Sequence, residues 1–234
     1  MRESRIKVGY FSDILCVWAY ISQIRLDHLK SKFAGKVEIK YHFISLFGDA
    51  EKRLQKRVSG EMAWSSFNQH VREVAAGFDH CEINPEIWLS CRPLTSANSH
   101  LFLKAIQLLE KRQELPPLPA DDENGNNRFE DMIWRVRCAF FCEALDIGRF
   151  DVLYSIGEQA GLPLTALESV INDGAAMAAL HADAELGSNF KLEGSPTFLL
   201  NDGRQKLYGN VGYKIIEANI NELLSFPGDR ASWC

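Results

Sequence analysis

Apolar and polar residues alternate along Arg5-Ile6-Lys7-Val8-Gly9-Tyr10-Phe11 and again along Val37-Glu38-Ile39-Lys40-Tyr41-His42-Phe43, the two-residue period of a strand. Between them, from about Cys16 to Phe33, Ile21, Ile24, Leu26 and Leu29 recur at helical spacing, and Gly35 stands where a helix C-cap belongs. This opening reads as β-α-β, which predicts two parallel strands joined by a right-handed crossover. From about Asp49 to Phe190 the period is helical throughout, in segments 49–57, 61–77, 95–114, 128–146, 150–160, 163–172 and 174–188. Pro116-Pro117-Leu118-Pro119 and the polar run Asp121 to Asn127 form the one clear loop. Strand grammar returns at Ser195-Pro196-Thr197-Phe198-Leu199-Leu200. Asn201-Asp202-Gly203 is a turn signal, Gln205 to Gly209 an antiparallel partner, and Gly212 to Leu224 a last helix ended by Pro227-Gly228.

The expected class is therefore α/β, with a large all-helical insertion between β-α-β and β-β-α. Residues 1–45 and 190–226 are expected to form one domain, 46–189 the inserted helical domain and 227–234 a C-terminal tail. A chain of 234 residues, 46% hydrophobic and 24% charged, can bury a substantial core. Its net charge of −5 gives no reason to expect a nucleic-acid surface. The N-terminus lacks the apolar stretch of a signal peptide, and no apolar run is long enough to span a bilayer, so the expected location is cytoplasmic, with no membrane partner.

Six cysteines, at 16, 81, 91, 138, 142 and 234, include no C-x-x-C pair, which argues against a zinc ribbon and a self-contained dithiol motif. The six histidines show no ligand spacing, and no metal is expected. Cys138 and Cys142, four apart in an aromatic-rich helix, are expected to pack in the core, and Cys81 and Cys91 to have core or incidental roles. His100, at a helix start, is expected to cap or pack, facing the cleft between the domains as the alternative. Cys16 differs from these. It follows a strand and two short polar residues and immediately precedes a helix, where free backbone N–H groups and the helix dipole favour a thiolate. A cysteine that merely packs there is the competing reading.

Cys16 after the first strand, together with Gly194-Ser195-Pro196-Thr197-Phe198 opening the third, resembles the DsbA-like family of the thioredoxin superfamily. Pro93-Leu94-Thr95-Ser96-Ala97-Asn98-Ser99-His100 and the segment from Asp151 to Leu162 are similar to helical-domain stretches of its cytosolic members. The resemblance spans essentially the whole chain. It implies a thioredoxin fold with a helical insertion, Cys16 as nucleophile, and a cis Pro196 packed against it. It also implies that the backbone of Ser195 is free to pair with an extended peptide or with glutathione. Trp18, Ser195 and Thr197 are the expected substrate contacts, with Trp18 on the groove rim.

The motif departs from that family at Cys16-Val17-Trp18-Ala19, which has no second cysteine. A disulfide closed within the motif is excluded, because exchange needs a second thiol to attack the mixed disulfide. That thiol comes either from Cys234, behind Trp233 at the chain end, or from glutathione as co-substrate. Return of Cys234 to Cys16 requires a nearly straight tail after the last helix. The main expectation is a thiol–disulfide oxidoreductase acting on a thiol or disulfide peptide or small molecule, with no permanently bound cofactor and a homodimer left open. A glutathione-dependent transferase or isomerase of the kappa or 2-hydroxychromene-2-carboxylate isomerase type is the second reading. Cysteine rather than serine at position 16, and a Gly209-Asn210-Val211-Gly212 turn without an acidic group, count against it. A non-catalytic binding protein is the third.

Overall fold

The structure is a computed structural model that describes residues 5–56, 59–117, 126–228 and 231–232. Two strands open it, β1 (Ile6–Ser12) and β2 (Val37–Phe43), with α1 (Val17–Ile21) and α2 (Gln23–Lys32) between them. The predicted single helix from Cys16 to Phe33 is broken at Ser22. This residue caps both halves, donating its N–H to the carbonyl of Trp18 and accepting from the N–H groups of Arg25 and Leu26. Seven helices follow: α3 (Ala50–Leu54), α4 (Glu61–Ala75), α5 (Ala97–Lys111), α6 (Arg128–Phe141), α7 (Phe150–Gln159), α8 (Leu164–Asn172) and α9 (Ala175–Asn189). Then come β3 (Thr197–Leu200), β4 (Gln205–Tyr208) and α10 (Tyr213–Ser225).

The four strands form one sheet in the order β2-β1-β3-β4. β1 and β2 run parallel, from Ile6 opposite Val37 to Ser12 opposite Phe43. β1–β3 and β3–β4 are antiparallel. The β-α-β and β-β-α halves thus meet with β1 in the centre, as the thioredoxin-type order requires. Alternation along β1 sends Val8 and Tyr10 to one face, where Tyr10 meets Tyr41 and Phe198 edge to face. It sends Lys7, Gly9 and Phe11 to the other face. α10 packs against β1 and α9 against β2.

The turn from β3 to β4 holds three successive residues at positive φ, Asn201 (44°), Asp202 (53°) and Gly203 (100°). Asn201 and Asp202 are residue types that tolerate this region. Their side chains meet Lys7, whose backbone N–H donates to Asn201 Oδ1 and whose ammonium lies 2.7 Å from Asp202. In the helical part, Phe47, Trp64, Phe67 and Phe140 close around the fully buried Trp88. Trp88 itself has a positive φ of 61°, and its N–H donates to the carbonyl of Cys91 at 2.7 Å. Among the described residues no helix is long and apolar enough to cross a membrane.

Candidate functional site

β1 ends at Ser12-Asp13, and the chain turns once before α1. The N–H of Cys16 donates to the carbonyl of Asp13 at 3.1 Å, and the carbonyl of Cys16 accepts from Ala19 and Tyr20, both at 3.0 Å. Cys16 is therefore the N-cap, with extended backbone (φ −81°, ψ 116°). Its thiol donates to the carbonyl oxygen of Ser195 at 3.3 Å. The hydroxyl of Ser195 accepts from the N–H of Asp13 at 2.9 Å, so the loop before β3 is tied to the cysteine loop twice. The Ser195–Pro196 peptide bond is cis. Thr197 is fully buried, and its hydroxyl donates to the carbonyl of Gly194 at 2.7 Å, so it braces the loop from inside. The N–H of Ser195 donates to no described residue. Trp18 is half-buried with its ring edge-on to Phe78, over which the Arg25 guanidinium lies at 5.9 Å.

The protonation state of Cys16 differs from the sequence expectation. Cys16 is 6% exposed, and burial pushes its thiol up from the ordinary cysteine value. The hydrogen bond to Ser195 and the N–H groups of Ala19 and Trp18 pull the other way, and the Asp13 carboxylate adds to the rise. A helix terminus contributes about 0.3–1 kcal/mol to an anion. Full burial moves a pKa by up to roughly 3–5 units. In front of a helix of only five residues, burial wins, and resting Cys16 is a thiol.

The group that organises this site was not singled out in the sequence. Asp13 is fully buried. Its Oδ1 accepts from the N–H of Leu15 at 2.9 Å; its Oδ2 accepts from the N–H of Phe47 and the hydroxyl of Ser96, both at 2.8 Å. His100 completes the arrangement. Its ring is fully buried, stacks on Phe43, and at Nε2 accepts the N–H of Ile14 at 3.1 Å. Nε2 is thus unprotonated, and burial holds the imidazole below its ordinary pKa despite the nearby Asp13 and Asp183. The cysteine loop is in this way gripped by α5 and by the segment after β2. Polar Ser12-Asp13 at a strand end was visible in the sequence, but partners more than 30 and 80 positions away were not. Behind it the fully buried Arg137 of α6 donates to Ser12 Oγ and to Gln23 Oε1, and Gln23 in turn donates to Asp27.

Of the remaining cysteines, Cys81, Cys91, Cys138 and Cys142 are free. Burial pushes the Cys81 thiol up to about 11, and those of Cys91 and Cys138 up to about 12. Cys142 and the Tyr20 hydroxyl lie 3.3 Å apart in a half-buried contact, at the edge of the core instead of inside it. Trp233 and Cys234 lie outside the described residues. Among the described residues no group of three or more His, Cys, Asp or Glu side chains is placed to hold a metal ion.

No family model matches the chain, and no curated protein matches it. Solved structures do. A candidate protein disulfide isomerase from Nitrosomonas europaea superposes with a TM-score of 0.75 at 11% identity, over 96% of this chain and 100% of that one. The cytosolic disulfide reductase DsbM from Pseudomonas aeruginosa gives a TM-score of 0.63 at 18% identity, over 92% and 98%. DsbM has also been solved with GSH. A 2-hydroxychromene-2-carboxylate isomerase gives 0.61 at 15% identity, over 97% and 100%. Matches of this extent span both the sheet and the inserted helices, and the chain has the fold of these DsbA-like structures, a thioredoxin fold with inserted helices.

Proposed function

We propose that this chain is a thiol–disulfide oxidoreductase that uses Cys16 as its one motif nucleophile and a glutathione-type thiol to complete the cycle. The observation that carries the reading is the approach of the Cys16 thiol to the Ser195 carbonyl at 3.3 Å, beside a Ser195 N–H that has no partner among the described residues. An extended peptide or a glutathione molecule laid along Ser195 would bring its sulfur to Cys16. In the first step Cys16, having lost its proton, attacks a substrate disulfide. A Cys16–S–S–R bond forms, the substrate S–S bond breaks, and the second sulfur leaves as a thiolate. In the second step a free thiolate attacks the mixed disulfide, takes R as a new disulfide, and returns Cys16 as a thiol. This first turn frees one substrate thiol and leaves the other half joined to the small thiol. In a second turn Cys16 attacks the small-thiol sulfur of that disulfide, the second substrate thiolate leaves, and another small thiol attacks the adduct, so that the substrate ends as two thiols and the two small thiols end as one disulfide. A cytoplasmic location suits this reaction, since it depends on a supply of reduced thiols. Trp18 and Phe78 would form the apolar rim of the groove.

The test is turnover of bis(hydroxyethyl) disulfide with reduced glutathione. Cys16→Ser should abolish it while Cys234→Ser retains it; full activity in Cys16→Ser would defeat the assignment, and loss of activity in Cys234→Ser would move the second thiol into the chain. One observation favours a second reading. A buried Cys16 that stays protonated could donate a hydrogen bond to a glutathione thiolate, as a serine would, and serve glutathione-dependent isomerisation. That activity would survive Cys16→Ser and would consume no disulfide.

A further inference from the structure

Gly9 lies in the middle of the central strand, opposite Lys40 of β2 and Leu199 of β3. A glycine inside a strand packs nothing and weakens the sheet, and it commonly marks a place where another group comes close. Here the group that comes close is the Phe11 ring, 3.2 Å from where a Gly9 Cβ would stand, and beside it Gly9 lines a cavity of about 250 Å³ on the β1 face shared by Lys7, Gly9 and Phe11. Phe11 and Leu199 line it from the sheet, and Leu186 and Phe190 from α9 and its end. It lies away from Cys16, which is not among its lining residues.

The polar wall of this cavity is a built histidine. The His42 ring stacks on Phe11 with centroids 4.5 Å apart. Its Nδ1 is 2.7 Å from Asp183 Oδ1. Asp183 is itself buried, and its Oδ2 accepts from the N–H of Phe43 at 2.8 Å and pairs with the buried Lys104 ammonium at 2.6 Å. A carboxylate receiving these donors is ionised, so His42 holds a proton at Nδ1 and donates it to Asp183. Nε2 is left as the free ring nitrogen, with no partner among the described residues. Of the lysines at the rim, Lys7 is matched by Asp202 at 2.7 Å, whereas Lys40 has, among the described residues, Glu38 alone at 3.5 Å, with both side chains about half exposed.

We propose that this cavity is a second binding site, separate from the cysteine groove, for a small carboxylic acid with one apolar ring or short chain. The apolar body fills the cavity between Leu186, Phe190 and Leu199, beside the Phe11 ring. Binding as its carboxylate, the ligand draws a proton from solvent onto His42 Nε2 and is held by that Nε2–H and by Lys40, while Asp183 steadies the imidazolium from behind. The volume falls just below the range of about 300–1,000 Å³ usual for drug-sized ligands, which restricts the occupant to a single ring or its equivalent.

The experiment follows the imidazole ring signals of His42 in long-range proton–nitrogen spectra of the full chain during titration with benzoate, with benzamide as the uncharged match. Benzoate should shift the His42 Nε2 signal saturably and benzamide should not. His42→Gln should weaken benzoate binding, read by calorimetry, by about tenfold or more, the worth of one charge-assisted hydrogen bond. Gly9→Val, checked for native circular dichroism, should abolish it, because the new side chain pushes the Phe11 ring beside it into the cavity. Cys16→Ser should leave it unchanged, so the result stands apart from the redox reading. No His42 shift, an equal shift with benzamide, or undiminished binding in both His42→Gln and Gly9→Val would overturn the proposal.

Discussion

The hydroxyl of Ser96, just ahead of α5, donates to Oδ2 of Asp13 at 2.8 Å, across 83 positions of sequence. The same oxygen accepts the N–H of Phe47, so one carboxylate joins the end of β1, the segment after β2 and the start of α5. Asp13 also sits three residues before Cys16, and its own N–H reaches the Ser195 hydroxyl. One buried side chain thus ties the cysteine loop to the segment after β2 and to the start of α5.

Asp13→Ala is expected to destabilise the chain by about 3 kcal/mol or more, since it leaves the N–H groups of Leu15 and Phe47 and the Ser96 hydroxyl buried and unpaired, at roughly 1–3 kcal/mol each. Urea unfolding measures this directly. A loss below about 1 kcal/mol would mean that water replaces the carboxylate without difficulty.

Cys16 titrates above an ordinary cysteine, because burial of its thiol outweighs the donors at Ser195, Ala19 and Trp18. Its alkylation by iodoacetamide should therefore keep rising with pH beyond the value of about 8.5 at which a free cysteine is half ionised. Asp13→Asn removes a negative charge that raises this pKa and should shift the curve toward lower pH. A wild-type rate that levels off near neutral pH would contradict the burial argument.

His100 is held neutral by burial, with its folded pKa below its unfolded value. Its contribution to stability is fully present above the unfolded value of about 6.5 and is lost as the pH falls below it, because the unfolded chain then binds a proton that the folded one refuses. His100→Gln retains an acceptor for the Ile14 N–H and does not titrate. Between pH 7 and 5 the wild type should lose stability more steeply than the variant, by up to about 1.4 kcal/mol per pH unit. Parallel curves in urea titrations at several pH values would show that His100 protonates freely.

Trp88→Ala is expected to cost about 3–5 kcal/mol, the range for a large aromatic removed from a packed core, since Phe47, Trp64, Phe67 and Phe140 all close on it. The measurement is the thermal midpoint by circular dichroism. A shift of a few degrees or less, about 1 kcal/mol for a chain of this size, would indicate that the aromatic cluster collapses into the space.

Lys104→Met should destabilise by about 3–5 kcal/mol, because it leaves Asp183 buried without its nearest cation. Asp183 keeps the Phe43 N–H and His42 in the variant, which places the expected loss at the lower end of that range. A neutral outcome in urea unfolding would mean that His42 takes up a proton and replaces the lysine charge.

Much of the architecture was legible because its signals are local. The period of two along β1 and β2 reappears residue for residue in the parallel register from Ile6–Val37 to Ser12–Phe43. The turn chemistry of Asn201-Asp202-Gly203 reappears as three positive φ angles. The helices of the insertion follow the periodic segments, mostly shorter at their ends and in α9 one residue past the C-terminal bound, where capping and packing decide the last turn. The break at Ser22 left no pattern, since a serine is tolerated inside a helix and only its neighbours' hydrogen bonds divide α1 from α2.

The candidate site divides along the same line. By itself the sequence determined that a cysteine stands at a helix start, that its motif lacks a second thiol, and that Ser195-Pro196 opens a later strand, all read over a few adjacent residues. Only the tertiary structure decided that Cys16 is buried against Ser195, that Asp13 and His100 grip its loop, and that Gly9 and His42, the latter backed by Asp183, line a separate cavity. The physical reason is that burial is set by what the rest of the chain places on top of a residue. The local helix dipole that favours a thiolate is weaker than the loss of water imposed by segments more than a hundred residues away.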